Sequence, residues 1–286
     1  MLAHAANESL EQRSDAFGVS HLLADALSTM ELPGDGSAAE LAALHEQFVR
    51  YGYVRLPAFL SGGALAQFRL EMSKLEKVAM RRGFDMPGYD TPRRLSVLGG
   101  SLIRKNSSEL AGLYYHHAIR SFVERVAGRR IYSCRHPEEF MVANFLQTTG
   151  DTHGWHLDDP PLALVIFAEA PAPGGGGEAE MIVNWHDLCR RKDRSVDTGI
   201  ADLVAWSRDN DLVEQRYHGV GDAYLLRADL NLHRVAPLTA RGEKRWVVNL
   251  AFQTEPVGSY GETASLLYAP DSDAGRAARA PACTAA

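Results

Sequence analysis

Cysteine is scarce in this chain: 286 residues contain three, Cys134, Cys189 and Cys283, odd in number and never at C-x-x-C spacing. That excludes a disulfide framework and a thiolate zinc site, and it fits a reducing cytoplasm. Long apolar runs are missing as well. No window approaches 18 apolar residues, and the opening MLAHAANESLEQRSD has no basic region followed by an apolar one, so neither a membrane span nor a signal peptide is expected. There is no excess of positive charge: 30 Lys and Arg stand against 36 Asp and Glu, a net charge of −6. Nucleic acid and anionic membranes both need a basic footprint, which leaves a small molecule as the expected partner. The run GGGG at 174–177 carries no G-x-G-x-x-G or Walker spacing, so it reads as a flexible hairpin loop and not as a phosphate site.

What is present suffices for a core, with 45% hydrophobic residues in a length that suits one enzyme-sized domain. Residues 1–36 are small and polar and end in ELPGDGS, the composition of a flexible arm. Helical patterning follows over 37–128. Ser37 and Glu40 form an S-x-x-E capping box ahead of Leu41, Leu44 and Phe48 on one helix face, and Gly52 stops that helix. The segment YVRLPAF then reads as a short strand, Ser61 opens a second helix bearing Leu65, Phe68, Met72, Leu75 and Val78, and a third helix is expected from about Asn106.

From about residue 129 the texture changes to short runs rich in Val, Ile, Leu, Phe and Tyr, separated by Gly, Pro and Asp, as in an all-β sandwich or barrel. A polar helix-like insertion at 186–211 interrupts them, its RRKDR a solvated face, and the tail 270–286 reads as disordered. The expected fold is therefore α+β, with helices outside a β core that spans 129–269.

One stretch concentrates chemistry: DTHGWHLDDPP, residues 151–161, placed just before the apolar run LALVIFAEAP. His156 and Asp158 are two residues apart, so on a strand both point to one face. His233 opens HRVAPL on a later strand. Two histidines and one carboxylate on adjacent strands can cap one octahedral face of Fe(II) and leave three positions open for a bidentate oxo-acid and O2. Arg245, at the start of RWVVNLAF, can reach inward and grip a carboxylate bidentately, whereas Arg241 in the turn TARGE is solvated. Singly, His186 or His218 is an ordinary surface or hydrogen-bonded histidine.

With these residues in hand, the chain resembles the Fe(II)/2-oxoglutarate-dependent dioxygenases over roughly residues 40–268. The resemblance implies a double-stranded β-helix (jelly-roll) core, with His156, Asp158 and His233 as metal ligands and Arg245 on the 2-oxoglutarate cosubstrate. DTPRR, DTHGWH and HRVAPLTARGEKRWVVNLAF look like the group of free-amino-acid enzymes that holds the lysine radical halogenases and their hydroxylating relatives. That closer likeness implies substrate contacts from Arg93, Glu139, His153, Asp159 and Asn249. Halogenating members carry a small residue in place of the metal carboxylate, which frees a position for chloride. Here the position is Asp158, so hydroxylation of a basic or polar amino acid is the expected outcome, with desaturation or ring closure open. Two alternatives remain open: a hydroxylase of another small metabolite or a peptide, and a jelly-roll binding module without catalysis. A homodimer is compatible with either.

Overall fold

A computed structural model describes residues 22–28, 32–34 and 36–269; the expectations for residues 1–21, 29–31 and 35 and for the tail 270–286 lie outside the described residues. Helix α1 (Leu22–Ser28) falls within the expected arm yet is packed, with Leu23 and Leu27 in the core. Its first amides, on Leu22 and Leu23, donate to the Glu109 carboxylate at 3.1 and 2.8 Å. A helix start leaves such donors free, and an anion there also complements the dipole.

Helix α2 (Ala38–Tyr51) begins on Ser37, whose hydroxyl accepts from the Glu40 amide at 3.3 Å, and ends at Gly52 with φ 61°. Strand β1 (Tyr53–Leu56) leads to α3 (Gly62–Glu76), which buries Phe68, Met72 and Leu75 as their spacing predicts; Val78 falls beyond its end and is exposed. The helical reading of 37–128 fails next. β2 (Met80–Met86) and β3 (Thr91–Leu98) form an antiparallel hairpin. Its alternation is disguised because Arg82 takes an inward position, where Nε donates to the Leu267 carbonyl at 2.7 Å. An unforeseen short helix, α4 (Gly100–Asn106), comes first, and the single helix expected from Asn106 is divided into α5 (Ser108–Tyr115) and α6 (His117–Ala127). Ser107 caps α5 by accepting from the Leu110 amide at 3.1 Å.

The remaining chain supplies β4 (Tyr132–Ser133), β5 (Met141–Leu146), β6 (Thr152–His156), β7 (Leu162–Glu169), β8 (Ala179–Ile182), α7 (Trp185–Lys192), α8 (Ala201–Asp209), β9 (Glu214–Arg216), β10 (Ala223–Arg227), β11 (Leu232–Val235), β12 (Arg245–Gln253) and α9 (Thr263–Tyr268). All the described pairings are antiparallel, in the order β1-β10-β7-β12-β5-β3-β6-β11-β8-β9, with β2 on β3 and β4 on β12. This curled sheet with helices packed outside it is the expected α+β jelly-roll. The insertion forms α7 and α8, and RRKDR is exposed on it, as read from the sequence.

The main core lies between the helices and the outer sheet face, where Phe59, Phe68, Phe122, Phe145 and Phe252 are fully buried. Each such side chain contributes about 1.5–3 kcal/mol. The run GGGG is open only at its first residue: Gly174 is exposed, whereas Gly176 is packed with φ 82°, and a Cβ there would sit 2.1 Å from the Pro237 carbonyl oxygen. No described helix is long and apolar enough to cross a membrane. Two neighbour relations place the site. β6 runs between β3 and β11, and β12 runs between β5 and β7.

Candidate active site

His156 and His233 are register partners across β6 and β11, so their rings face one another with centroids 4.3 Å apart. Asp158 follows β6 and completes the cluster: its Oδ1 lies 3.4 Å from His156 Nε2 and its Oδ2 3.9 Å from His233 Nε2. One ligand atom from each of the three residues lies within 4.8 Å of the others. The tautomers are fixed by the backbone. His156 Nδ1 donates to the Gly154 carbonyl at 2.7 Å and His233 Nδ1 to the Asn231 carbonyl at 2.9 Å, which leaves each Nε2 lone pair aimed at the shared point. Burial, then the neighbouring histidines, hold His156 well below the usual imidazole range. Burial raises the Asp158 carboxyl, an effect His233 opposes. Two imidazoles offering Nε2 with one carboxylate are a donor set for a divalent transition metal with open positions, and the spacing of the three residues fits one such ion.

Two compartments meet at this cluster. One is lined by Arg93, Glu139, Leu157, Asp159, Thr263 and Leu267. The other is lined by Asn144, Val165, Tyr224, His233, Arg245 and Val247. His153, His156, Asp158, Asn249 and Tyr268 border both.

Arg245 is 1% exposed at the start of β12, its guanidinium carbon 4.8 Å from the Phe167 ring centroid. Its Nε has no partner, and burial pulls its pKa down against the help of Tyr224. Arg93, fully buried on β3, uses only Nη1, which donates to the backbone of Thr91, Pro92 and Gly154 and to the Thr91 hydroxyl. Its Nε and Nη2 are unpartnered, and burial pushes it down to about 10. Neither guanidinium pairs with a carboxylate among the described residues. A buried, unpaired cation of this kind is costly and is a ready anion receptor.

The other predicted contacts divide. His153, across from Arg93 in the β3–β6 ladder, stacks on His156 at 4.1 Å and leaves Nε2 unpartnered; burial, then Arg93, hold it well below its usual range. Glu139 is buried with Oε2 unpartnered, and burial, aided by Asp159 and Asp158, pushes its carboxyl up to about 8. Asn249 on β12 has a buried, unpartnered Oδ1. Asp159, unlike Glu139, is exposed: it lies at the rim and accepts from the Gly261 amide. The sequence reading missed Tyr224, Asn144 and Tyr268. Asn144, a lone amide in the apolar run of β5 with its Oδ1 unpartnered, carried a usable signal. Tyr224 and Tyr268 looked like ordinary core aromatics.

The family model described as HalD, halogenase D, matches residues 37–265. The chain belongs to the halogenase D family. That span takes in the cluster and the lining of both compartments except Leu267 and Tyr268. No curated protein matches. Among solved structures, the non-heme alpha ketoglutarate dependent carbocyclase SnoK from nogalamycin biosynthesis is similar with TM-score 0.57 and 18% identity over 84% of this chain and 90% of that one. AviO1 from Streptomyces viridochromogenes Tue57 is similar with TM-score 0.56 and 15% identity over 78% and 98%. The epimerase SnoN from nogalamycin biosynthesis, also alpha ketoglutarate dependent, gives 0.55 and 16% over 75% and 81%. At these identities the likeness is one of fold, and it establishes the jelly-roll architecture independently of this chain's own strand order.

Proposed function

We propose that this chain is a non-haem Fe(II)/2-oxoglutarate-dependent hydroxylase that acts on an unactivated C–H bond of a small free amino acid with a basic or polar side chain. The observation that carries the reading is the pair of buried guanidinium groups, Arg245 in one compartment and Arg93 in the other, each without a carboxylate and each beside the His156, Asp158, His233 cluster. Two unpaired cations beside one metal site call for two carboxylates: the far end of 2-oxoglutarate at Arg245, and the α-carboxylate of the amino acid at Arg93. The alpha ketoglutarate dependence of SnoK and SnoN supports the first assignment.

The protein's own share of the work is positioning. His156, Asp158 and His233 would hold the metal on one side only. Glu139 would take the substrate ammonium, with Asp159 attracting cations at the rim, while His153 and Asn249 supply neutral polar contacts between them. Leu157, Leu267 and Tyr268 exclude water from the reacting carbon. Fe(II) with 2-oxoglutarate and O2 supplies the oxidising chemistry. The family is described by a halogenase, but Asp158 occupies the position that a halide would need, and this favours hydroxyl transfer. The test is a screen of free amino acids with Fe(II), 2-oxoglutarate, O2 and chloride, read by mass spectrometry. A gain of one oxygen on lysine, ornithine, arginine or a close analogue is expected; chlorination, or turnover only of peptides, would overturn the reading.

A further inference from the structure

β6 and β11 do not pair evenly beside the cluster. His233 stands opposite His156 and Val235 opposite His153, so Gly154 and Trp155 together face the single residue Arg234. Two residues against one make a β-bulge, which re-aims the side chains around it. Its effect is visible in the two histidines of β6. Residues three apart on a regular strand point to opposite faces, yet His153 and His156 border the same two compartments and stack at 4.1 Å. The bulge also presents its carbonyls. Gly154 accepts from His156 Nδ1 at 2.7 Å and from Arg93 Nη1 at 3.3 Å, and Trp155 accepts from the Thr91 hydroxyl at 2.8 Å. Glycine is needed at 154, where a Cβ would sit 2.8 Å from Thr91 Cβ and from Pro92 Cδ.

The support of this bulge lies outside both compartments. The buried Trp155 ring packs with Ile182, Trp185, Leu188, Leu203 and Leu232, in the small core that α7 and α8 cover. The Arg234 guanidinium carbon lies 5.1 Å from the centroid of that ring. Arg234 is fixed in turn by Glu180, its register partner on β8: its Nε donates to Glu180 Oε2 at 2.7 Å, and Arg208 of α8 donates to the same oxygen at 3.3 Å. Glu180 is buried, so solvent and salt screen this contact little. No described residue of α7 or α8 lines either compartment, and the chain of contacts from Arg208 through Glu180 and Arg234 to Trp155 links the insertion to β6.

We infer that Arg234, held by Glu180, is a positioning residue for the metal cluster: it clamps Trp155 and so keeps the Gly154–Trp155 bulge that turns His156 toward Asp158 and His233. The inference rests on the reading of His156, Asp158 and His233 as metal ligands. Without the flat guanidinium over the indole, the extra residue relaxes along β6, and His156 loses the angle at which its Nε2 meets the other two donors.

The test is a Co(II) titration of the full chain, read by its d–d absorption, beside urea unfolding of the metal-free protein. Arg234→Met keeps much of the side-chain bulk and removes the guanidinium. Disturbing the outer support of a metal ligand predicts about a 10- to 100-fold rise in the Kd for Co(II), with a shifted d–d spectrum. Glu180→Gln should move both in the same direction by less, because its amide oxygen still accepts from Arg234, and it keeps the test decisive if Arg234→Met does not fold. Leu188→Ala loosens the same small core away from the bulge; it should lower the urea midpoint and leave the Co(II) affinity and spectrum unchanged. Unchanged affinity and spectrum in either the Arg234 or the Glu180 variant, or an equal loss of affinity in Leu188→Ala, would overturn the inference while leaving the proposed function standing. Absence of Co(II) binding by the wild type would overturn both together.

Discussion

Replacing Glu139 by Gln keeps the side-chain shape and removes a carboxyl that the fold holds against its own preference. In the wild type, burial, then Asp159 and Asp158, push that carboxyl from 4.5 to about 8. The folded value lies above the unfolded one, so between the two the folded chain binds the extra proton. Its contribution is fully present below about pH 4.5 and is lost as pH rises through about 8. At 1.36 kcal/mol per unit, raising the pH from 5 to 8 should destabilise the wild type by about 3 kcal/mol relative to Glu139→Gln. Urea unfolding of both metal-free proteins at pH 5, 6, 7 and 8 gives this difference directly, because the two proteins differ in this one carboxyl group. A difference that stays within about 0.5 kcal/mol across the range would refute the claim that this acid is buried at a cost. A ligand ammonium should reverse the effect by favouring the ionised form. At pH 7, binding of such an amino acid to the wild type should release close to one proton, seen as a dependence of binding heat on buffer ionisation, and binding to the variant should release none.

His156→Ala and His233→Ala should each abolish tight metal binding in a Fe(II) or Mn(II) titration while the far-ultraviolet circular dichroism is kept; retained stoichiometric binding in either would remove the triad assignment. Arg245→Ala should raise the 2-oxoglutarate requirement by an amount equivalent to about 2–5 kcal/mol, the range for truncating one partner of a buried charge pair, whereas Arg241→Ala, at an exposed position, should leave it within about twofold. Asp159→Asn should weaken amine binding less than Glu139→Gln does, and the gap between wild type and Asp159→Asn should shrink as salt is added, because an exposed charge is screened and a buried one is not. The opposite ranking, measured by calorimetry at two ionic strengths, would place the substrate ammonium at the rim.

The His156, Asp158, His233 cluster was legible because its parts are local. His156 and Asp158 sit at a two-residue spacing beside a strand, and the register of β6 with β11 brings His233 opposite them without any long-range adjustment. Arg245 was legible because it is a charge at the head of an otherwise apolar strand. The β2–β3 hairpin was not, since Arg82 occupies an inward position and is satisfied by carbonyls of the C-terminal segment, a contact 185 residues away in sequence. α1 was misread for a similar reason: its stability comes from Glu109 and from the core it meets, and its seven residues are too few to show a period. Asp159 directly follows Asp158 in sequence yet does not share its place, because β6 ends at His156 and Asp159 is exposed. Tyr224 stayed hidden because an aromatic in AYLLR is core in most proteins, and only the fold brings it to the compartment that Arg245 lines.

The most direct test is a turnover stoichiometry with isotopically labelled oxygen: purified chain, Fe(II), 2-oxoglutarate, chloride and the amino acid that the screen selects, under labelled O2. Hydroxylation by the His156, Asp158, His233 centre predicts one succinate per modified amino acid and one labelled oxygen atom in each product. Succinate released at the same rate with and without any amino acid, or a product that carries chlorine or no labelled oxygen, would contradict the account.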